Sequence, residues 1–130
     1  MRWIRNASVF GGVLAAVLAG AGTPALASQN VGWLYSIDGG GAVFFDADLN
    51  GEPGIEKITV CDNKTDGRGV EAEVTSILGN DSWLVADPSH DGKCVAYQGN
   101  LFKEDTWVAV RIWEYAGSWK STVVYADGYA

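Results

Sequence analysis

The sequence contains few of the residues that most often take part in catalysis or bind metals. Its 130 residues include one histidine, two cysteines, one methionine and three prolines. The single imidazole, His90, lies between Ser89 and Asp91 in a turn-forming stretch, and neighbours in sequence do not make a catalytic triad. No G-x-S-x-G, H-E-x-x-H or phosphate-binding loop occurs. These features predict a protein that is not an enzyme.

Basic residues are also scarce. Nine lysines and arginines stand against 16 acidic residues, which gives a formal net charge of −7. Proteins that bind nucleic acid need a basic surface to neutralise phosphates, and attachment to an anionic membrane surface needs one too. The charge therefore excludes nucleic acid and membrane surfaces as expected partners.

The N-terminal residues 1–27 have the organisation of a signal peptide. Arg2 and Arg5 precede a small-residue apolar stretch over 9–22, and Ala25-Leu26-Ala27 supplies the small residues that a signal peptidase requires. Fourteen apolar residues span about 21 Å, which is short of the ~30 Å hydrocarbon core of a bilayer. We predict cleavage into a secreted, extracellular chain over 28–130. The loss of two arginines changes the net charge from −7 to −9.

Cys61 and Cys94 are the only cysteines in the sequence. An even pair in an exported protein is normally oxidised, and the C-x-x-C spacing of redox or metal sites is absent. We predict a structural disulfide between them.

The mature region lacks sustained helical spacing of apolar residues. Short runs rich in Val, Ile, Trp and Tyr alternate with Gly, Asp and Asn about every ten residues, which is typical of an all-β sandwich or barrel. The eight runs cover 32–37, 42–46, 56–61, 70–77, 82–86, 93–98, 106–115 and 119–126. They predict a single domain over 28–130, an antiparallel β-sandwich of about seven to eight strands and immunoglobulin-like size.

The run 106–115 carries the most unusual pattern of the mature chain. Its aliphatic residues alternate with a second face formed by Trp107, Arg111, Trp113 and Tyr115. Aromatic residues and arginine are enriched where proteins bind partners, so we predict these four as ligand-binding residues. The alternative is that the face is buried under a loop, or that both faces of the strand are buried.

The segment 46–52 resembles the first half of a calcium-binding loop. Asp46, Asp48 and Asn50 occupy alternate positions and Gly51 follows, as in D-x-[DN]-x-[DN]-G. The match then fails, because Lys57 stands where the bidentate glutamate belongs. These three residues are candidate metal ligands, with an acidic hairpin turn as the alternative. No other cofactor is predicted.

A distant resemblance covers residues 40–130. Its motifs are Gly40-Gly41-Ala42-Val43-Phe44, then Val60-Cys61-Asp62 followed by Asp66-Gly67, the strand 107–113, and Ser118-Trp119-Lys120. On these motifs the chain resembles small secreted β-sandwich proteins that are common in actinomycetes. The resemblance implies the fold and export, and it implies no activity. Many such proteins carry further cysteines near the last hairpin, and this sequence has none there.

Three functional hypotheses follow from these features. The first is a secreted, non-enzymatic binding module that uses its aromatic strand face to hold an unidentified protein or glycan. The second is a secreted hydrolase inhibitor or toxin-like effector, and the third is a calcium-stabilised structural protein of the cell surface. In each case we expect a monomer or a weak homo-oligomer.

Overall fold

The computed structural model describes residues 27–130. The predicted signal peptide over 1–27 lies outside this part, apart from its last residue. Nine strands and one short 3-10 turn occur in the described residues. They are β1 (Val31–Tyr35), β2 (Gly41–Asp46), the 3-10 turn (Leu49–Gly51), β3 (Glu56–Asp62), β4 (Gly69–Ser76), β5 (Ser82–Asp87), β6 (Val95–Gly99), β7 (Trp107–Ala116), β8 (Trp119–Lys120) and β9 (Val124–Tyr129). No helix in this part of the chain is both long and apolar enough to span a bilayer.

The strands form two antiparallel sheets. One contains four strands in the order β1-β2-β3-β6, and the other contains β5-β4-β7, with β8 and β9 both paired to the far edge of β7. Strands β1 to β3 form a meander of consecutive hairpins, after which the chain crosses to the second sheet. The predicted all-β sandwich is confirmed, with nine strands instead of seven or eight.

The core lies between the two sheets, where period-two alternation brings aliphatic side chains inward from both sides. Val108, Val110 and Ile112 of β7 are fully buried, as the alternation in the sequence predicts. Phe45 of β2 meets Phe102 edge to face, with ring centroids 6.1 Å apart. The remaining core residues are Val31, Val43, Ala47, Ile58, Val60, Val70, Ala72, Val74, Val85, Leu101 and Ala130.

Three consecutive glycines with different surroundings lie in the turn from β1 to β2 and at the first residue of β2. Gly39 has φ +75°, a conformation that other residues rarely adopt. A Cβ on Gly40 would collide with the Glu114 carboxylate, and one on Gly41 would lie 2.5 Å from Val70 Cγ1. The turn therefore packs tightly against β7 and β4 of the opposite sheet.

The last predicted strand, 119–126, is divided in two in the structure. Lys120 pairs with Tyr115 and Val124 pairs with Ile112, so three residues on this strand face two residues on β7. This one extra residue is a β-bulge. It reverses the alternation, so residues before and after the bulge that would otherwise share a face of the sheet point to opposite faces. Trp119 and Tyr125, which simple alternation places together, therefore lie on opposite faces.

The two lateral sides of the sandwich differ, and we name them by their strands. On the closed side, next to β1 and β9, backbone hydrogen bonds join Gln29 to Tyr129 at 2.7 and 3.0 Å and so link the two sheets. On the open side, β5 and β6 are the edge strands of their sheets, and among the described residues no strand pairs with their outer edges.

Candidate functional site

The predicted ligand-binding face of β7 lies on the outer surface of the five-stranded sheet. Trp107 is half exposed, and its ring meets Tyr129 edge to face with centroids 5.3 Å apart. Arg111 is exposed, and its guanidinium is 3.3 Å from a carboxylate oxygen of Glu73 on β4. These two residues are therefore available to solvent, although Arg111 already has an ion-pair partner.

The other two predicted residues of this face are less accessible. Trp113 is only 7% exposed, because its Nε1 donates a 2.8 Å hydrogen bond to Glu71 and the Lys120 ammonium lies 4.8 Å from its ring centroid. Tyr115 is half-buried against Gly69, and burial, followed by nearby acidic charge, raises the pKa of its phenol. The four residues therefore do not form one continuous aromatic surface.

Glu114, on the inner face of the same strand, is fully buried and ion-paired. Its carboxylate accepts a 2.7 Å hydrogen bond from Ser36 Oγ and lies 3.1 Å from the guanidinium of Arg68. Arg68 also contacts Asp38 at 3.0 Å and stacks on Trp119, with 4.6 Å between its Cζ and the ring centroid. Because a buried carboxylate is costly without compensation, this ion pair and hydrogen bond hold the β1–β2 turn onto β7.

The same cluster contains three carboxylates that converge. Oxygens of Asp38, Asp66 and Glu114 lie within 4.8 Å of one another. The hydrogen bond with Glu114, then the Gly40 amide and the charges of Lys64 and Arg68, outweigh partial burial and lower the Asp38 pKa from 3.8 to about 2. Since Arg68 supplies positive charge at the centre, the arrangement is explained as a structural ion-pair network.

The predicted calcium ligands lie in the connection from β2 to β3. Asp46 ends β2, Asp48 precedes the 3-10 turn, and Asn50 has φ +58°, within the left-handed region that asparagine tolerates. A buried Asp48 oxygen has no hydrogen-bond partner among the described residues. The three-carboxylate cluster found in residues 27–130 lies elsewhere, at Asp38, Asp66 and Glu114. Calcium binding by the 46–52 segment stays a prediction.

The predicted disulfide between Cys61 and Cys94 is confirmed. It joins the end of β3 to the residue just before β6, and therefore fixes the start of an edge strand to β3, the one strand that pairs with it in residues 27–130. Cys61 is buried and Cys94 is exposed, so the bond reaches the outer surface of the four-stranded sheet.

A groove lies beside this disulfide, and we call it the aromatic groove. Its volume is about 260 Å³, and it is lined by Trp33, Tyr35, Ala42, Cys61, Asn63 and Cys94. Trp33 is 49% exposed and Tyr35 is 53% exposed, whereas Ala42 and Cys61 beneath them are buried. The groove therefore has exposed aromatic side chains above a closed, uncharged floor.

Adjacent strands hold the two aromatic residues of the groove in place. Tyr35 is in register with Ala42, which is in turn in register with Cys61, so all three share the outer face. Trp33 packs edge to face on Phe44, with ring centroids 5.4 Å apart. Sequence reasoning singled out neither aromatic residue, although their i, i+2 spacing in a predicted strand was a usable signal.

A third surface feature lies where the 62–67 and 87–92 turns meet. It is a cavity of about 230 Å³ whose lining includes Asp62, Thr65, Asp66 and His90. Asp62 is buried, which raises its pKa, and its Oδ2 has no hydrogen-bond partner within residues 27–130. Lys64 and Arg68 also line this cavity, so its charge is mixed.

Comparisons with known proteins gave no match to a family model, to a curated protein or to a solved structure. The resemblance to small secreted β-sandwich proteins of actinomycetes therefore stays a prediction.

Proposed function

We propose that the protein is an exported binding module without catalytic activity, and that it holds a neutral sugar ring of a glycan in the aromatic groove. The observation that carries this proposal is the pair of half-exposed aromatic side chains, Trp33 and Tyr35, above a closed and uncharged floor. The disulfide supports export, because such bonds persist mainly in oxidising compartments.

The chemistry of the groove suits a pyranose ring. The C–H faces of a sugar are apolar and pack against indole and phenol rings, while its hydroxyl groups need polar partners at the rim. The amide side chain of Asn63 and the phenol of Tyr35 supply both donors and acceptors. No charged residue lines the groove, so a neutral sugar fits it better than an acidic or a basic one.

The outer face of β7 is the weaker of the two aromatic surfaces. Its central tryptophan, Trp113, is covered by Lys120 and hydrogen-bonded to Glu71, and Arg111 is paired with Glu73. A ligand there would have to displace these contacts. In the aromatic groove, Trp33 and Tyr35 are exposed without such displacement.

The experiment compares the two surfaces directly. The mature chain, its Trp33→Ala and Tyr35→Ala variants and the control variant Trp107→Ala are titrated with neutral oligosaccharides of glucose, mannose and N-acetylglucosamine. Binding is followed by calorimetry and by amide chemical shifts. We expect one of these glycans to bind, and each groove substitution to weaken binding by about tenfold or more, which corresponds to roughly 1.4 kcal/mol.

Trp107→Ala should leave glycan binding unchanged, because Trp107 lies on the other sheet. If no glycan binds at millimolar concentration, the sugar assignment is wrong. If a glycan binds and only Trp107→Ala abolishes binding, the ligand-binding surface is the face of β7.

A further inference from the structure

On the open side, two side chains on the inward face of β6 are exposed to solvent. Val95 and Tyr97 of β6 are in register with Val60 and Ile58 of β3, which are fully buried. By alternation they share the inward face, yet Val95 is 40% exposed and Tyr97 is 47% exposed. The second sheet therefore does not cover the inward face of β6.

A groove of about 370 Å³ occupies this position between β5 and β6. Trp83 and Tyr97 stack across it, with ring centroids 5.0 Å apart and their planes at 27°. On the β5 side, Val85 is only 5% exposed. The uncovered apolar surface thus belongs mainly to β6.

The edge of β6 also lacks the features that normally prevent strand pairing. Its sequence, Val-Ala-Tyr-Gln-Gly, contains no proline and no charged residue, and β3 is its only pairing partner in the described part of the chain. An unprotected edge presents backbone N–H and C=O groups in the pattern that another strand would match.

We propose that β6 is a docking edge for an extended segment of another protein, which adds as a fifth strand to the four-stranded sheet. Neighbouring strands of a sheet are ~4.8 Å apart, so an added strand would lie beside β6 in the plane of the four-stranded sheet. Its backbone would pair with β6, and its inward-facing apolar side chains would lie next to Val95 and Tyr97.

The negative net charge of the chain favours another protein over a second copy of this chain as the occupant of the β6 edge. Each copy carries a net charge of −7, or −9 after the predicted cleavage, so pairing of two copies brings like charges together. Among the exposed charged residues that precede β5 and β6 in the chain, Asp81 and Asp91 are acidic and Lys93 is basic. The occupant that fits best is an extended segment in which apolar residues alternate with basic residues.

The probe is the synthetic peptide acetyl-Lys-Val-Lys-Val-Lys-Val-Lys-amide, added to the mature, oxidised chain. We expect binding by calorimetry, with slower amide hydrogen exchange in β6. Two control peptides separate the contributions. Replacement of lysine by glutamate tests the charge, and N-methylation of the backbone amides removes the donors that pair with a strand edge.

The diagnostic variant is Tyr97→Lys, which places a charge on the inward face where the apolar side chains would lie. The matched control is Tyr125→Lys, an exposed tyrosine on the outer face of the other sheet. We expect Tyr97→Lys to weaken peptide binding by about tenfold or more and Tyr125→Lys to have little effect. Neither substitution touches the aromatic groove, so glycan binding should persist in both variants.

Three results would overturn the proposal. The first is the absence of slower exchange in β6, and the second is binding that N-methylation leaves unchanged. The third is a concentration-dependent dimer of the mature chain, seen by sedimentation and abolished by Tyr97→Lys, which would identify the occupant as a second copy.

Discussion

The closed and open sides of the sandwich differ in the interactions that hold their edge strands. On the closed side, the backbone of Gln29 pairs with that of Tyr129, so backbone hydrogen bonds connect the chain before β1 to β9 of the other sheet. On the open side, a disulfide and a buried carboxylate hold β6 and the segment that follows it.

The buried carboxylate of the open side belongs to Glu56. One of its oxygens accepts hydrogen bonds from the amides of Leu101 and Phe102, at 2.6 and 3.3 Å, immediately after β6. These side-chain contacts fix the chain just after the end of β6. In residues 27–130, β6 is thus an edge strand whose start is held by the disulfide and whose end is held by Glu56.

Removal of the disulfide should give the largest effect. In the Cys61→Ala, Cys94→Ala double variant, the unfolded chain regains the entropy of a loop whose ends are 33 residues apart in sequence. The free energy of unfolding should therefore fall by about 3–4 kcal/mol. Urea denaturation measures this loss. Amide exchange should accelerate most in β6. If exchange accelerates more in β1 and β9 than in β6, the disulfide does not act mainly by fixing β6.

Truncation of Glu56 should have the next largest effect. Glu56→Ala leaves two buried amides without their acceptor, and we expect a loss of about 2–3 kcal/mol in the free energy of unfolding. Glu56→Gln is the matched control, because it keeps a carbonyl oxygen that can accept both hydrogen bonds. An equal loss in both variants would show that the charge of Glu56, and not its acceptor oxygen, is what matters.

The same pair of proteins tests a pH dependence. Burial raises the pKa of Glu56 above its ordinary value of 4.5, despite the opposing hydrogen bonds from Leu101 and Phe102. The folded state therefore binds this proton more tightly than the unfolded state. The resulting stability is fully present below pH 4.5 and is lost as the pH rises through the raised pKa. Denaturation between pH 4 and 8 should show this decline in the wild type and not in Glu56→Gln, and parallel curves would contradict it.

The smallest effect concerns the closed side. A Cβ on Gly128 would lie 2.9 Å from Val31 Cγ2 and 3.1 Å from the Gln29 carbonyl oxygen. We expect Gly128→Ala to lower the free energy of unfolding by about 1–2 kcal/mol, because over-packing forces the strands apart. Gly32→Ala is the control, since a Cβ there meets no atom within 4 Å. A thermal melt in which both variants match the wild type would show that the closed side adapts.

The sequence predicted the class of fold because its signals are local. Alternation identified the buried face of β7, and the acidic and glycine-rich turns separated the strands. The disulfide was predicted because only two cysteines are present. The division of the last strand was missed, since a one-residue bulge depends on register with β7 and leaves no local mark.

The candidate sites were harder to predict because they depend on residues distant in sequence. The burial of Trp113 results from Glu71 and Lys120, which reach it from two other strands. The aromatic groove requires the β1–β2 hairpin to lie beside the disulfide, and the exposure of Tyr97 requires β6 to be an edge. Such neighbour relations follow from strand order, which periodicity does not encode.

The glycine run at the β1–β2 turn has a consequence for sequence variation. A run of three glycines suggests a segment that tolerates substitution, yet each position here has its own requirement. Gly39 needs a left-handed backbone, Gly40 leaves room for the Glu114 carboxylate, and Gly41 leaves room for Val70. Substitution at each position would therefore fail for a different reason. This glycine run should therefore be among the segments that tolerate substitution least, in natural or laboratory variants.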